Sequence, residues 1–225
     1  MSNCSVPQVI DGNRTRYIRA DFGHWENQIL PPIFRNQSYN WYRSQIIFYL
    51  MRFNPKTLAH VQHAISQQFK PPSVDAHRPY VAIYIRRSDK ITGREMAQAY
   101  PLQQYFDLFD ADARRANIKT IFLNSEDEQA FKEFDPVNQK AGGYYKLLDI
   151  NVTRNVVFMS MMSMAGDQRR KIVLEFLTGL FIEVNADLHA GTLTSNWCRL
   201  VDEIRLAIGK TIPYYTPENR YIIDF

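Results

Sequence analysis

The sequence predicts an α/β protein with a Rossmann-like parallel sheet, and three observations support this. Short apolar runs rich in β-branched and aromatic residues recur along the chain, as at Tyr80–Ile85 and at residues 120–123. Segments with helical periodicity separate these runs. Polar clusters directly follow several of the runs. Such alternation indicates βαβ units, and therefore a parallel sheet with helices on both faces.

The chain before the first strand is predicted to be helical. The apolar spacing of residues 40–53 fits one amphipathic helix, and Pro55 begins a second over residues 56–69. We predict that the aromatic side chains of the first helix are core residues, namely Trp41, Tyr42, Phe48 and Tyr49. Residues 1–38 lack periodicity, so we divide the chain into an irregular segment, 1–38, and an α/β domain with two lead-in helices, 39–225.

The remaining elements follow from the same rules in chain order. Tyr80–Ile85 is predicted as a strand buried on both faces. Further strands are predicted at residues 120–123, 144–150, 156–159 and, more weakly, 188–193, and helices at 102–115, 126–134 and 169–185. A last helix is predicted over residues 195–208, with Ser195 as its N-cap and Gly209 as its C-cap.

Composition excludes several classes of function. The chain has 225 residues and a net charge of +4, with 27 basic residues interleaved with 23 acidic ones, so no basic arm for nucleic acid is present. It has no apolar run long enough to cross a membrane and no signal peptide at its start, which predicts a cytoplasmic protein if the chain is complete. Four sequons, at Asn3, Asn13, Asn36 and Asn151, instead suggest a lumenal history.

Cysteine and histidine usage gives no metal or nucleophile signature. Cys4 and Cys198 are far apart in sequence, so they can form one pair but not a disulfide framework, and neither has the spacing of a metal ligand. The five histidines form no metal set and no catalytic triad. Glycine-rich nucleotide fingerprints are also absent from the sequence.

Three polar segments are predicted to meet at one edge of the sheet, because ligands of open α/β sheets bind beyond the carboxyl ends of the strands. Arginine forks bind diphosphates bidentately, and a helix N-terminus with free N–H groups binds anions. Carboxylates beside the arginines could orient them or accept a proton. The segments are Arg86-Arg87-Ser88-Asp89-Lys90, Ser125-Glu126-Asp127 and residues 192–196, which include Ser195 and Asn196.

Each segment also has a purely structural interpretation. Two arginines at a strand end are often a solvated loop. Glu126 and Asp127 suit the first turn of a helix, where the macrodipole favours acids. Ser195 suits an ordinary N-cap. Spacing alone leaves both interpretations open.

The combination of segments resembles the α1,6-fucosyltransferases, glycosyltransferase family 23. I-R-R-S-D-K at residues 85–90 is similar to the family's H-V-R-R-T-D-K, and I-F-L-N-S-E-D-E at 121–128 to its Y-L-A-T-D-D-P. A-D-L-H-A-G-T-L-T-S-N-W-C-R at 186–199 resembles A-D-F-L-V-C-T-F-S-S-Q-V-C-R, and S-Q-I-I-F-Y-L-M-R at 44–52 resembles S-Q-F-V-K-Y-L-I-R. The four matches occur in the same order over about three quarters of the chain.

The resemblance implies a GT-B-like donor-binding lobe that transfers L-fucose from GDP-fucose to a glycan with inversion and without a metal. The α1,6 linkage to the core GlcNAc of N-glycans, in the Golgi lumen, is implied in the same way. By position, Arg86 and Arg87 would hold the diphosphate, and Asp89 and Lys90 would lie beside the sugar. The family's base lies four residues beyond the motif Lys, and Glu95 is the nearest candidate here, one residue later.

The same comparison gives the nucleotide contacts and the departures. Tyr84 replaces the motif His, Asp127 follows the second strand, and Ser195 and Asn196 match the nucleotide-contacting Ser-Gln. The helical Asp that precedes the family's A-D motif aligns with Gly179, with Glu175 and Glu183 one turn away on either side.

The chain lacks the family's anchor, coiled coil, most of the first lobe and the SH3-like domain, so we expect weak or no activity alone. Two alternatives remain. One is a fucosyltransferase for other acceptors, such as protein O-linked sites or chitin oligosaccharides. The other is a non-catalytic lobe that binds a nucleotide sugar, a glycan or a protein.

Overall fold

The computed structural model describes residues 32–34, 39–87, 99–154, 158–192, 194–210 and 214–218. These ranges contain two short 3₁₀ turns, Pro32–Phe34 and Asp75–His77. The strands are β1 (Tyr80–Ile85), β2 (Thr120–Ser125), β3 (Lys146–Leu148), β4 (Leu188–Ala190) and β5 (Tyr214–Tyr215). The helices are α1 (Tyr39–Leu50), α2 (Pro55–Gln68), α3 (Leu102–Arg115), α4 (Glu128–Lys132), α5 (Phe134–Lys140), α6 (Phe158–Ser163), α7 (Gly166–Asn185) and α8 (Asn196–Ala207).

The described strands form one sheet in the order β3-β2-β1-β4-β5, and every neighbouring pair is parallel. The predicted α/β fold class is therefore confirmed. This order reverses direction between β1 and β4, and such a reversal is the topological switch point at which doubly wound sheets open a ligand crevice. The carboxyl ends of β1 and β4 are therefore the positions at which this rule places a ligand.

Side-chain alternation along β1 builds a separate core on each face of the sheet. Val81, Ile83 and Ile85 pack with α3, α4 and α5 in one apolar cluster. Tyr80 and Ala82 pack with α2 and α7 in a second cluster on the other face. Helices thus cover both faces, as the continuous apolar sequence of β1 predicted.

The helix ends follow local capping rules. The Asn54 side chain accepts a hydrogen bond from the Thr57 N–H at the start of α2, where Pro55 occupies the first helical position. Ser195 caps α8 by accepting from the Cys198 N–H. Beyond α8, Gly209 takes a positive φ of 79°, which a glycine adopts without steric cost. The predicted N-cap, Ser195, is confirmed, whereas the C-cap is Ile208, one residue before the predicted Gly209.

The lead-in helices form as predicted, but the aromatic face of α1 was assigned wrongly. α1 packs against α8, and Ile47, with Met51 one turn further on, belongs to an apolar cluster that also includes Leu180 of α7. Phe48 and Tyr49 lie away from this seam and are 37% and 67% exposed. Trp41 and Tyr42 are half-buried, and both rings contact the ring of Phe34. A helix three turns long has one buried stripe, so four aromatic residues spread over the nine positions 41–49 cannot all reach the core.

Three other elements differ from the sequence prediction. Residues 158 and 159, predicted as the end of a strand, begin α6, because the methionines of this segment favour a helix. Helix α5 was not predicted; its proline, Pro136, lies in the first turn, where proline is tolerated. The two-residue strand β5 was also missed, being too short to show periodicity. The division at residue 38 stays a prediction, since residues 1–31 and 35–38 lie outside the described ranges.

Candidate functional site at the switch point

The three polar segments predicted from the sequence follow β1, β2 and β4, whose carboxyl ends lie at one edge of the parallel sheet. Arg86 and Arg87 directly follow β1. Glu126 and Asp127 directly follow β2. Ser195 and Asn196 lie at the junction of the β4 loop and α8. The predicted convergence of these segments is therefore found, while Asp89, Lys90 and Glu95 lie outside the described residues.

Arg87 is buried and held by a glutamate that the sequence analysis did not single out. Its two terminal nitrogens donate to the two carboxylate oxygens of Glu133 at 2.6 and 2.9 Å, and one of them also donates to the Tyr100 carbonyl at 2.8 Å. Asp127 lies 3.6 Å away. The Glu133 carboxylate also accepts from the Leu102 N–H, at the start of α3. Arg87 thus ties the end of β1 to α3 and to the α4–α5 corner.

The pKa values of this pair move in the directions that a buried ion pair requires. Hydrogen bonding to Glu133 raises the pKa of Arg87, against the opposing effect of burial. Burial raises the pKa of Glu133, but the hydrogen bonds from Arg87 and Leu102 lower it by more, so its pKa lies below the usual value. Both side chains are therefore charged at neutral pH.

Arg86 has a different environment because adjacent residues of a strand point to opposite faces. Its guanidinium lies 2.6 Å from Glu126 Oε1, an oxygen that also accepts from the Arg87 N–H at 2.7 Å. The Ser125 hydroxyl donates to the Ile85 carbonyl, so the ends of β1 and β2 are joined by side chains as well as by the ladder. Asp127 caps α4 by accepting from the Gln129 N–H at 3.0 Å. The structural role proposed for Asp127 as a helix start is therefore present.

The β4 side of the edge is built from the start of α8. Ser195 is buried at its cap position, whereas Asn196 is exposed and its side-chain oxygen accepts from the Arg199 guanidinium. The carboxylate of the buried Glu218 accepts from both the Thr194 N–H and its hydroxyl, which joins the loops after β4 and β5. α8 approaches β4 very closely: a Cβ on Gly191 would lie 2.5 Å from the Cys198 sulfur. Only glycine fits at position 191.

Several buried polar atoms at this edge have no protein partner among the described residues. They are Arg87 Nε, Glu126 Oε2 and Thr192 Oγ1, one from each of the three segments. Buried polar atoms are nearly always satisfied in folded proteins, so unsatisfied ones mark positions for water, an ion or a ligand. Their concentration at the switch point supports a polar ligand site there.

Tyr84 and a set of buried charges lie just beneath the edge, on the face covered by α7 and α8. The Tyr84 ring packs on the Trp197 ring with centroids 5.8 Å apart, and burial raises the pKa of its hydroxyl. Glu183, His189 and Asp202 are in contact and fully buried. None of these three was identified as a site residue. The sequence does mark two of them as unusual, because Glu183 interrupts the apolar face of a helix and His189 interrupts a buried strand.

Metal-binding groups and membrane-spanning helices are absent from the described ranges. Those parts of the chain hold no group of three His, Cys, Asp or Glu side chains arranged for a metal ion. They also contain no helix of the length and apolar character needed to cross a bilayer. Cys198 is a free buried thiol, and burial raises its pKa, so it is unreactive as a nucleophile.

Comparison with known proteins identifies the fold but not a family. No protein-family model and no curated protein sequence matches the chain. Among solved structures, POFUT1 in complex with GDP is similar over 77% of this chain and 50% of that one, with 16% identity and a TM-score of 0.50. POFUT1 in complex with GDP-fucose is similar over 76% and 49%, with 14% identity and a TM-score of 0.49. The chain spans about half the length of these POFUT1 chains.

The comparison supports the fold and leaves the finer predictions open. At 16% identity, the likeness to POFUT1 extends to the α/β architecture. The resemblance to glycosyltransferase family 23 finds no family match and stays a prediction. The roles of the individual site residues likewise stay predictions.

Proposed function

We propose that this chain is the donor-binding lobe of a fucosyltransferase and that its switch-point edge binds GDP-fucose. One observation carries the proposal. The strand order brings Arg86 and the start of α8 to the same edge, in a fold similar to that of a protein crystallised with GDP. A guanidinium and a helix N-terminus are the two protein groups that best complement a diphosphate.

The proposed reaction is an inverting transfer. The acceptor oxygen attacks the anomeric carbon while the bond from that carbon to the β-phosphate oxygen breaks, and GDP departs with the bonding electrons. Arg86 and Arg87 stabilise the charge that develops on the β-phosphate. A carboxylate takes the acceptor's proton, and Glu95 is the residue proposed for this step. Asp89 and Lys90 lie beside the sugar, while Tyr84, Asp127, Ser195 and Asn196 contact the donor.

The acceptor proposed from the sequence resemblance is an N-glycan. The α1,6 linkage to N-glycans and a Golgi location rest on the four sequence matches alone. Transfer to protein O-linked sites or to chitin oligosaccharides uses the same donor chemistry with a different acceptor. Asn151, the one sequon within the described ranges, is exposed and so accessible to glycosylation. A mass shift on glycosidase treatment of the natural protein would support a lumenal location.

Calorimetric titration with GDP tests the proposal directly. Wild-type protein is expected to bind GDP, and Arg86→Ala to weaken binding at least tenfold, about the contribution of one charged hydrogen bond. Arg115→Ala is the matched control, because Arg115 also pairs with an acid but is 76% exposed on α3. Absence of GDP binding by the wild type, or equal binding by the Arg86 variant, overturns the proposal.

A second candidate, a lobe that binds without catalysis, is favoured by the pairing of both arginines. Arg86 pairs with Glu126, and Arg87 gives its terminal donors to Glu133 and Tyr100. If these pairs persist with nucleotide bound, the arginines act in the fold more than on the donor. Labelled GDP-fucose separates the two functions: GDP release that depends on an acceptor supports transfer, whereas binding without release supports the second candidate.

A further inference from the structure

A polar layer lies inside the core, directly beneath the proposed donor edge. On the face of the sheet covered by α7 and α8, Glu183 comes from α7, His189 from β4 and Asp202 from α8. His189 Nδ1 lies 2.9 Å from Asp202 Oδ1, and its Nε2 lies 3.3 Å from Glu183 Oε2. The three residues are 0%, 0% and 1% exposed. We call this group the Glu-His-Asp array.

The two carboxylates that flank the His189 ring favour its protonated form. Burial lowers the pKa of His189, but the flanking Asp202 and Glu183 raise it by more, so the net shift is upward. An imidazolium between two carboxylates satisfies both of its N–H donors. Such buried charge seldom adds net stability, because its desolvation cancels most of the attraction. Its presence therefore calls for a role other than stabilising the core.

The array holds the first turn of α8. Glu183 Oε1 accepts from Trp197 Nε1 at 2.9 Å, and Trp197 is the second residue of that helix. The same oxygen accepts from the Asn124 amide at the end of β2. Asp202 attaches the array to α8 a second time, just over one turn further along. Two attachments on one helix fix both its position and its rotation.

Trp197 also connects the array to the end of β1. Its ring packs on Tyr84, which lies two residues before Arg86. On the other side it packs on Phe176 of α7, with centroids 6.1 Å apart. A displacement of Trp197 would therefore move Ser195 and Asn196 relative to the arginine end of β1. Those are the two halves of the proposed diphosphate site.

We propose that the Glu-His-Asp array is a positioning network, which fixes the first turn of α8 against the end of β1 so that the two together bind the nucleotide diphosphate. The ligand part of this inference rests on the proposed function, while the structural part does not. Sites of this kind require placement to about 0.5 Å, which loops alone rarely give. A buried connection through three side chains gives that rigidity.

The test uses Trp197→Phe, His189→Gln and the double variant in the full chain. Phe keeps an aromatic ring beside Tyr84, but it is smaller than the indole and lacks the N–H that Glu183 accepts. The retained aromatic packing should allow this variant to fold. Tyr145→Phe is the matched control. It removes one hydroxyl bond to a carboxylate, 2.7 Å to Asp110, on the opposite face of the sheet. GDP affinity is measured by calorimetry, and hydrogen exchange is measured at residues 194–199 without ligand.

We expect Trp197→Phe to weaken GDP binding about fivefold to tenfold and to speed exchange at residues 194–199, with Tyr145→Phe changing neither. Trp197 and His189 both bond to the Glu183 carboxylate, so the double variant should weaken binding less than the product of the single effects. A purely structural role would lower the melting temperature and leave GDP affinity and local exchange unchanged.

The outcomes separate this inference from the proposed function. If the wild type fails to bind GDP, the proposed function is overturned, and exchange at residues 194–199 still decides whether the array holds α8. If the wild type binds GDP and Trp197→Phe matches it in affinity and in exchange, the positioning role is overturned. Multiplicative effects in the double variant overturn it as well, since they show no coupling through Glu183.

Discussion

Two charge clusters lie at the same end of the sheet, on opposite faces, and they differ in exposure and in partners. The Arg87–Glu133 pair lies beside α3, with the glutamate side chain 25% exposed. The Glu-His-Asp array lies beneath α7 and α8 and is closed to solvent. The first joins two loops near the surface, and the second joins two helices through the core. The more deeply buried cluster should lose more stability when one of its members is removed, because solvent can screen the remaining charge only in the Arg87–Glu133 pair.

Removal of the central charge of the array should have the largest effect on stability. His189→Leu removes the imidazole that bonds to both Glu183 and Asp202, and this is expected to cost about 3–5 kcal/mol of unfolding free energy. Chemical denaturation measures this loss. Adding Glu183→Gln to the same variant should recover part of the stability, because one uncompensated charge disappears. Equal stability of wild type and His189→Leu would show that the array is uncharged.

The Arg87–Glu133 pair should be the weaker of the two. Arg87→Met preserves the aliphatic stem and leaves Glu133 with the Leu102 N–H, at an expected cost of about 2–3 kcal/mol. Arg114→Met is the control: that arginine also holds a carboxylate, Asp110, but is 38% exposed and should cost under about 1 kcal/mol. A loss at Arg87 no larger than at Arg114 would contradict the difference in depth.

Glu133→Gln addresses whether Arg87 also contacts the donor. The variant keeps the arginine but loosens its partner. If Arg87 turns to a bound diphosphate, GDP affinity should rise severalfold, because less of its bonding to Glu133 is lost. Unchanged affinity with lower stability would restrict Arg87 to holding α3 and the α4–α5 corner. Calorimetry and denaturation of the same sample give both values.

The pH dependence of the unfolding free energy should also distinguish the two clusters, and it is the smallest of the expected effects. His189 has a pKa raised above its unfolded value of 6.5, so its contribution is complete below that pH and is lost as pH rises through the folded pKa. The slope cannot exceed about 1.4 kcal/mol per pH unit for one proton. Its charged and titratable neighbours are Glu183 from α7 and Asp202, Cys198 and Arg205 from α8.

The slope of stability against pH at alkaline pH must be measured as the difference between the wild type and a variant. Burial lowers the pKa of Lys210 to about 8, which by itself makes stability rise with pH above that value. Subtracting the curve of His189→Gln from that of the wild type removes the lysine contribution. The remaining difference should fall with rising pH. A flat difference from pH 6 upward would contradict an imidazolium in the array.

The amino-acid sequence alone determined the features that depend on residues close together in the chain. Tyr80–Ile85 and Leu102–Arg115 were predicted with the bounds that the structure has, because strand burial and helix periodicity are read over a few residues. Ser195 was identified as a cap for the same reason. The convergence of the polar segments at one edge also followed, since parallel strands end on the same side.

Only the tertiary structure decided which charges meet. Arg87 and Glu133 are 46 residues apart, and Glu183, His189 and Asp202 come from three elements that touch only after the sheet is assembled. The tertiary structure also leaves Phe48 and Tyr49 exposed, because α1 buries only the side that carries Ile47. Arg86 and Arg87 are adjacent in sequence but bond to different carboxylates, Glu126 and Glu133. The alternation that points them to opposite faces is a local property of the chain, whereas the partners come from distant parts of the sequence.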